Sequence, residues 1–323
     1  MDLGPVMGSG SLKFRNYREG DDAAILRALN EESDLGCSLD EWAWLFPPEE
    51  GGRAIIVGER DGEVAAVCAG APVRVVVDGR EWPAVELRKL ASRDRDDAGR
   101  ALDHFVKTIG SSGRFAMAIA SLGREGEASS GFDQAEKVGL AGLVRHNPVS
   151  GALRRFLYRA EPARDWEPRL DALWGRVQSS YPVAVMRDAN RALRRFAGHP
   201  SVRHHRFLVF PRYSGSAVAS AVFTDDGSTC CWLDLLWDHA HPGALELLAH
   251  ISGRLVAQWG SSGEQLWLAG DDAAKTLLMD RGFRPQTSSP RVVAIRSFTS
   301  DLDARYFVDR AYLTAADVGG LGP

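Results

Sequence analysis

The chain is 323 residues long, with 45% apolar and 25% charged residues, a profile that excludes a disordered or fibrous protein. Thirty-nine basic against 43 acidic residues give a formal charge of −4, which excludes a globally basic DNA or membrane-surface binder and leaves room only for a local basic patch. A length about twice that of a common domain predicts two domains, and Cys37, Cys68, Cys230 and Cys231 lack metal-ligand spacing, so reduced thiols, no metal and a cytoplasmic protein are expected.

Residues 1–12 hold glycines but no basic-then-apolar profile, so no signal peptide is expected there. No apolar run reaches the length of a membrane span. Residues 12–18 alternate as a short strand, and Gly20-Asp21-Asp22 opens a helix carrying Ala24, Ile25, Leu26, Ala28 and Leu29. Ser38-Leu39-Asp40-Glu41 reads as a capping box for a second helix with Trp42, Trp44, Leu45 and Phe46, stopped by Pro47-Pro48. Residues 54–59 and 64–77 are β-rich and joined by Asp61-Gly62, while Asp78-Gly79 leads into the next strand; both pairs predict tight hairpin turns. That strand, 84–90, sets apolar Val85, Leu87 and Leu90 among charged Glu86, Arg88 and Lys89. A helix follows over about 97–109, with Ala101, Leu102, Phe105, Val106 and Ile109 at helical spacing. Residues 114–121 read as a buried strand, about 126–138 as a helix, and the region up to Tyr158 as a closing strand.

A strand that hands over to a helix through a glycine-bearing turn presents free backbone N–H groups, a ready anion site. Gly99, Arg100 and Ala101 are the candidates here, with Asp94, Asp96 and Asp97 crowding the same place. The plainer alternative is an ordinary turn capped by Asp96 or Asp97.

The second half starts with a polar linker at 161–165 and a helix carrying Trp166, Leu170, Leu173 and Trp174. Met186-Arg187-Asp188 precedes a basic amphipathic stretch, 189–198, with Leu193, Phe196 and Ala197 expected inward. Runs 207–210, 217–224 and 230–237 are β-rich, the latter two joined by a hairpin at Asp225-Asp226-Gly227, and 242–258 is a long helix. Gly99-Arg100-Ala101-Leu102 leads through a helix to Gly110-Ser111-Ser112-Gly113 and a strand. Gly243-Ala244-Leu245 leads the same way to Gly260-Ser261-Ser262-Gly263 and the strand 264–269, and Gly139-Leu140 and Gly282-Phe283 each follow a predicted helix. This repeat predicts two copies of one fold, divided as 1–160 and 161–323.

The order strand, two helices, three antiparallel strands, helix, strand, helix, strand resembles the GCN5-related N-acetyltransferase (GNAT) superfamily in its tandem arrangement. In the pyrophosphate loop Gly99 and Ala101 match that family's pattern, Asp96 stands where Gln or Arg is usual, Arg93 replaces a proline, and the basic residues are Arg95 and Arg100. The resemblance implies an α/β (α+β) fold of two tandem GNAT-like domains, each a mixed, mostly antiparallel sheet flanked by helices. It also implies an N-acyltransferase that moves an acyl group from an acyl-CoA thioester to an amine of a small molecule, by direct attack without a covalent intermediate. Leu90, Ala91 and Ser92 would hold the donor's pantetheine arm, and Gly99, Arg100 and Ala101 its pyrophosphate. Glu86 and Ser92 are the candidate catalytic residues; a carboxylate at Glu86 can take the proton of an ammonium acceptor, and the alternative is a solvent-facing Glu paired with Arg88 or Lys89. The tyrosine acid common in the family is replaced by Ala135 and Leu278, and Ser129 or Ser130 is the nearest substitute.

The second copy, whose loop Asp238-His239-Ala240-His241-Pro242-Gly243 lacks the glycine pattern, is expected to shape the acceptor cleft or bind a partner. Asp234, Asp238, Arg194, Arg195, His204 and Arg206 are its candidate binding residues, the last four within a cluster that also holds His199, His205, Arg203 and Arg212. Two rival readings remain. A GNAT-like aminoacyltransferase would draw on aminoacyl-tRNA through that cluster, and a non-catalytic binding module would have kept the fold without the donor site.

Overall fold

The structure is a computed structural model, and it describes residues 11–32, 37–48, 53–92, 94–121, 132–146, 156–287 and 291–318. The first half runs β1 (Lys13–Asn16), α1 (Asp22–Glu32), α2 (Leu39–Leu45), β2 (Ala54–Arg60), β3 (Glu63–Val77), β4 (Arg80–Ser92), α3 (Arg95–Ser111), β5 (Met117–Ser121) and β6 (Glu136–Arg145). Both hairpins turn where the sequence placed them: Asp61 and Gly62 take φ of 53° and 86°, and Asp78 and Gly79 take 47° and 79°. Two consecutive residues at positive φ are what a tight turn between right-twisted strands requires. The box that opens α2 is closed at both ends, Glu41 N–H donating to Ser38 Oγ at 3.1 Å and Ser38 N–H to the Glu41 carboxylate at 3.0 Å.

Strands β1 to β4 form an antiparallel meander, and α3 crosses over to bring β5 parallel to β4. That parallel pairing covers only Ala84↔Met117, Val85↔Ala118 and Glu86↔Ile119. Past Glu86 the register of β4 continues with β3 alone, to Ser92↔Ala66, so among the described residues one edge of 87–92 is left open. α1 and α2 cover one sheet face through Ile25, Leu29, Trp42 and Phe46. α3 covers the other, placing Leu102, Phe105 and Val106 against Ile56, Cys68, Val85 and Leu87.

A bulge between Ala69 and Gly70 leaves Arg88 as the extra residue of β4, since Ala69 pairs Lys89 and Gly70 pairs Leu87. It accounts for the spacing of Val85, Leu87 and Leu90, all of which meet the α3 side: the inserted residue breaks the two-residue alternation. Gly70 belongs to this junction. A Cβ there would lie 2.6 Å from Val85 Cγ2 and 2.8 Å from Phe105 Cζ. Gly70→Ala is expected to destabilise the protein by about 1–3 kcal/mol through overpacking, read as a lowered urea midpoint with unchanged m; an unchanged midpoint would mean that α3 yields freely.

The second half runs β7 (Tyr158–Pro162), α4 (Arg169–Val177), β8 (Val183–Val185), α5 (Ala189–Phe196), β9 (His205–Pro211), β10 (Ala219–Asp225), β11 (Cys230–Trp237), α6 (Pro242–Trp259), β12 (Glu264–Ala269), α7 (Asp272–Asp280), β13 (Arg284–Pro285), β14 (Arg291–Ser297), α8 (Arg305–Val308) and β15 (Ala311–Thr314). It repeats the first: β9, β10 and β11 are antiparallel neighbours, and α6 crosses over to set β12 parallel to β11 from Cys230↔Glu264 to Trp232↔Leu266. The fold is therefore the expected mixed, mostly antiparallel sheet with flanking helices, in two copies.

Several local expectations give way. Residues 126–131 of the predicted helix lie outside the described residues, and 136–138 begin β6 instead. α4 starts at Arg169, leaving Trp166 exposed, and Leu193 on α5 is exposed rather than buried. The two copies also interleave. β14 inserts between β5 and β6, β6 pairs with β12, and β8 joins β3 to β15. Residue 160 lies inside β7, which pairs with β9. Among the described residues fifteen strands thus form one hydrogen-bonded sheet, which satisfies backbone edges that two separate sheets would leave open. Among the described residues no helix is long and apolar enough to cross a membrane.

Candidate functional site

Glu86 sits on the last residue pair that β4 shares with β5, and its side chain is turned away from α3 into a cluster of arginines. It is 2% exposed. Arg88 and Arg195 each approach it at 3.5 Å, yet neither carboxylate oxygen accepts a hydrogen bond among the described residues. Burial alone raises the Glu86 carboxyl, but the charges of Arg195, Arg88 and Arg191 outweigh it and hold the group below the usual carboxylate range. Glu86 is consequently ionised at neutral pH and a weak proton acceptor. Arg88 feels the converse: burial, with Arg195 and Arg191 adding to it against the pull of Glu86, pushes its guanidinium down to about 10.

The arginines come from two directions. Arg88 is presented by the bulge in β4, and α5 supplies Arg191, Arg194 and Arg195, one helical turn apart and so on one face. Asp188 caps that helix, accepting from Arg191 N–H at 2.7 Å, and its other oxygen takes Arg74 from β3. α2 closes the far side. Trp44 Nε1 donates to the Ala197 carbonyl at 2.8 Å, its ring lies 4.3 Å from His199, and Arg88 donates to the Leu45 carbonyl at 3.1 Å. Between α2, β3, β4 and α5 lies a cavity of about 590 Å³. Its walls join apolar surface from Trp44, Leu45, Pro72, Val73, Phe115 and Met186 to guanidinium groups from both halves of the chain.

The open edge of β4 carries the predicted donor segment. Leu90, Ala91 and Ser92 are half-buried there, paired with β3 and not with β5. Ser92 is committed locally, its hydroxyl donating to the Ala65 carbonyl at 3.0 Å and accepting from Asp94 N–H at 3.3 Å. That bonding commits the Ser92 hydroxyl within the turn.

The phosphate cradle expected at Gly99, Arg100 and Ala101 is not where helix geometry needs it. α3 already begins at Arg95, so these three lie in its second turn, beyond the orphan N–H groups of the first. The cap is Asp94, not Asp96 or Asp97; its carboxylate accepts from Asp96 N–H at 2.8 Å. Asp97 is buried and paired with Arg60 at 2.5 Å and Arg100 at 3.5 Å. Three carboxylates around a helix start oppose a pyrophosphate rather than fit one.

The second-half candidates separate. Asp234, two residues past the parallel pairing of β11, is consumed by Arg187 Nε at 3.0 Å and Thr314 Oγ1 at 2.8 Å. Arg187 is tied in turn to Asp317 at 2.5 Å, so the carboxylate on β11 is neutralised from within this copy. Asp238 accepts from Ala240 N–H at 3.0 Å in its own turn. The basic cluster disperses as well. Arg194 and Arg195 line the cavity, whereas Arg206 pairs with Asp165 at 2.5 Å. His204 packs on Phe196 and its carbonyl, and burial pushes its imidazole down to about 4, so it is neutral at physiological pH. Sequence reasoning missed Arg74, Arg114 and Arg191 as cavity residues; the available signal was the recurrence of arginine at 191, 194 and 195 on one short helix.

No protein-family model and no curated protein sequence matches this chain. Solved structures do. A GCN5-related N-acetyltransferase from Anabaena variabilis is similar over 90% of this chain and 73% of its own, with a TM-score of 0.67 at 12% identity. A GCN5-related N-acetyltransferase from Kribbella flavida is similar over 90% and 71%, with a TM-score of 0.64 at 13% identity. N-myristoyltransferase of Saccharomyces cerevisiae, solved with bound myristoyl-CoA, is similar over 91% and 80%, with a TM-score of 0.59 at 12% identity. The fold of this chain is the GNAT fold.

Proposed function

We propose that the protein is an N-acyltransferase that moves an acyl group from a thioester to the amine of a small molecule, at the cleft between α2, β4 and α5. The single observation that carries this reading is the parting of β4 from β5 at Glu86, which leaves the backbone of residues 87–92 unpaired along one edge among the described residues, with Arg88 of that segment lining the 590 Å³ cavity. A thioester arm laid on that edge meets backbone N–H groups. Such donors stabilise the oxyanion that forms when an amine nitrogen attacks the carbonyl carbon. The C–S bond then breaks, the thiol leaves, an amide remains and the nitrogen gives up its proton. Holding both reactants in one cleft supplies much of the rate for such an attack. The N-terminal unit carries the donor edge, and the C-terminal unit completes the acceptor side through α5.

The finer reading takes the donor as an acyl-CoA, in keeping with the yeast neighbour that holds myristoyl-CoA. Among the described residues the acid-capped start of α3 offers its pyrophosphate no cradle at Gly99, Arg100 and Ala101. We therefore expect a truncated acetyl thioester of N-acetylcysteamine to be used within about 10-fold of acetyl-CoA in kcat/KM, since loss of the nucleotide removes little transition-state binding. Thiol release with amide formation, followed by mass spectrometry, is the measurement; a ratio of a thousand or more would restore a pyrophosphate site.

The same acidic start of α3 favours a second reading, a binding module that has kept the fold without the donor. A ligand at a hundred times its dissociation constant adds roughly 2.7 kcal/mol to stability. Neither thermal stabilisation nor thiol release with any thioester would decide for the module.

A further inference from the structure

We infer that the cleft selects acceptors carrying an anionic group, a carboxylate or a phosphate monoester, beside their apolar body. The clause about acceptors rests on the acyl-transfer reading; the anion site itself does not.

Among the described lining residues of the cavity six are arginines, Arg74, Arg88, Arg114, Arg191, Arg194 and Arg195, and one, Asp188, is a carboxylate. In a chain of formal charge −4 this is a concentrated positive field inside low-dielectric walls. Arg88 and Arg191 have side chains 7% and 10% exposed, and although Nη2 of Arg191 is held by Asp317 at 2.5 Å, the Nε of each is buried without a hydrogen-bond partner among the described residues. An unmade hydrogen bond on a buried charged group is costly, and an oxyanion with two oxygens side by side, as in a carboxylate or a phosphate, is the ligand a guanidinium edge fits best. Glu86 faces the Nη2 atoms of Arg88 and Arg195 at 3.5 Å as a counter-charge and leaves the Nε of Arg88 unmet. Arg88, Arg191 and Arg195 are at most 11% exposed, too recessed for the backbone of a folded RNA, whereas a compact ligand fits the 590 Å³. The apolar wall of Trp44, Pro72, Val73 and Phe115 suits the body of such a ligand.

Benzoate and phenyl phosphate are suitable probes, with benzyl alcohol as the neutral control, all at one ionic strength. At saturating concentration at least one of the two anions is expected to raise the Tm of the full chain by about 2 °C or more, and benzyl alcohol to leave it unmoved. The two anions separate carboxylate from phosphate recognition. Arg194→Gln lies on the exposed side of α5 and is expected to keep the fold while weakening anion binding about 10-fold. Arg88→Lys, which keeps the charge and loses the fork, should weaken it in the same direction. Equal shifts with benzoate and benzyl alcohol, equal affinity in wild type and Arg194→Gln, or a shift produced by a folded RNA and by neither small anion would overturn the proposal. In turnover assays 4-(aminomethyl)benzoate should exceed benzylamine by about 10-fold or more in kcat/KM. Anion binding without thiol release from any thioester would remove the acyl-transfer reading and leave the anion site standing.

Discussion

Glu86→Gln is expected to cost about 3 kcal/mol of stability and to lower kcat/KM about 10-fold at every pH, without removing the pH limb of the reaction. The substitution takes away the one charge that Arg88 and Arg195 share and leaves buried guanidinium groups uncompensated. Because the folded state holds the Glu86 carboxyl below its ordinary value of 4.5, its contribution to stability is present above about pH 4.5 and is lost as pH falls through the lowered value. The stability gap between wild type and variant should therefore be widest near neutrality and narrow in acid. Activity should rise with pH through the acceptor amine's own titration in both proteins. If that limb vanished in the variant, Glu86 would be the proton acceptor and the role as counter-charge would be wrong.

Arg145→Met should lower stability by about 3–5 kcal/mol, because it leaves a buried carboxylate without its cation. Arg145 and Glu264 are 2% and 0% exposed and face each other across the β6–β12 pairing, where the two halves of the chain interleave. Arg145 also donates to the carbonyls of Ala249 at 2.5 Å and Arg281 at 2.9 Å, and the second oxygen of Glu264 accepts from Trp232 Nε1 at 2.9 Å. A single loss thus leaves the Glu264 carboxylate of β12 without its cation and takes a donor from the carbonyls of Ala249 in α6 and Arg281 in the turn after α7. Calorimetry should register a fall in Tm of roughly 10 °C, and Arg145→Met combined with Glu264→Leu should recover part of it, since an apolar pair of similar volume leaves no buried charge. A Tm within 2 °C of wild type would mean that the interleaved strands are held by backbone pairing alone.

The candidate site was legible in one of its two components. Glu86 and the strand that carries it stand out in the letters because charged residues interrupt an apolar strand, and the structure does put Glu86 at the parting of β4 and β5. The basic cluster of the second half was visible as composition but not as geometry. Arg194 and Arg195 point one way along α5 and into the cleft, while His204 and Arg206 belong to the next strand and its neighbours. Sequence proximity merged residues that a turn of the chain sends apart. The phosphate cradle failed for a local reason: Asp94 starts α3 earlier than the glycine spacing suggested, because an aspartate cap competes effectively for the first free N–H groups.

Local chemistry by itself determined the hairpin turns at Asp61-Gly62 and Asp78-Gly79, the capping box at Ser38, the crossover helices and the repeat that links β4–α3–β5 to β11–α6–β12. Each of these depends on residues a few positions apart, where backbone sterics and helical or strand periodicity decide. Only the tertiary structure decided that β14 enters between β5 and β6, that β6 serves β12, and that the arginines of α5 surround a glutamate more than a hundred residues earlier. Edges of a sheet accept a strand wherever its backbone is free, and a buried charge draws its partners from any element that reaches it. Neither rule leaves a mark on spacing along the chain.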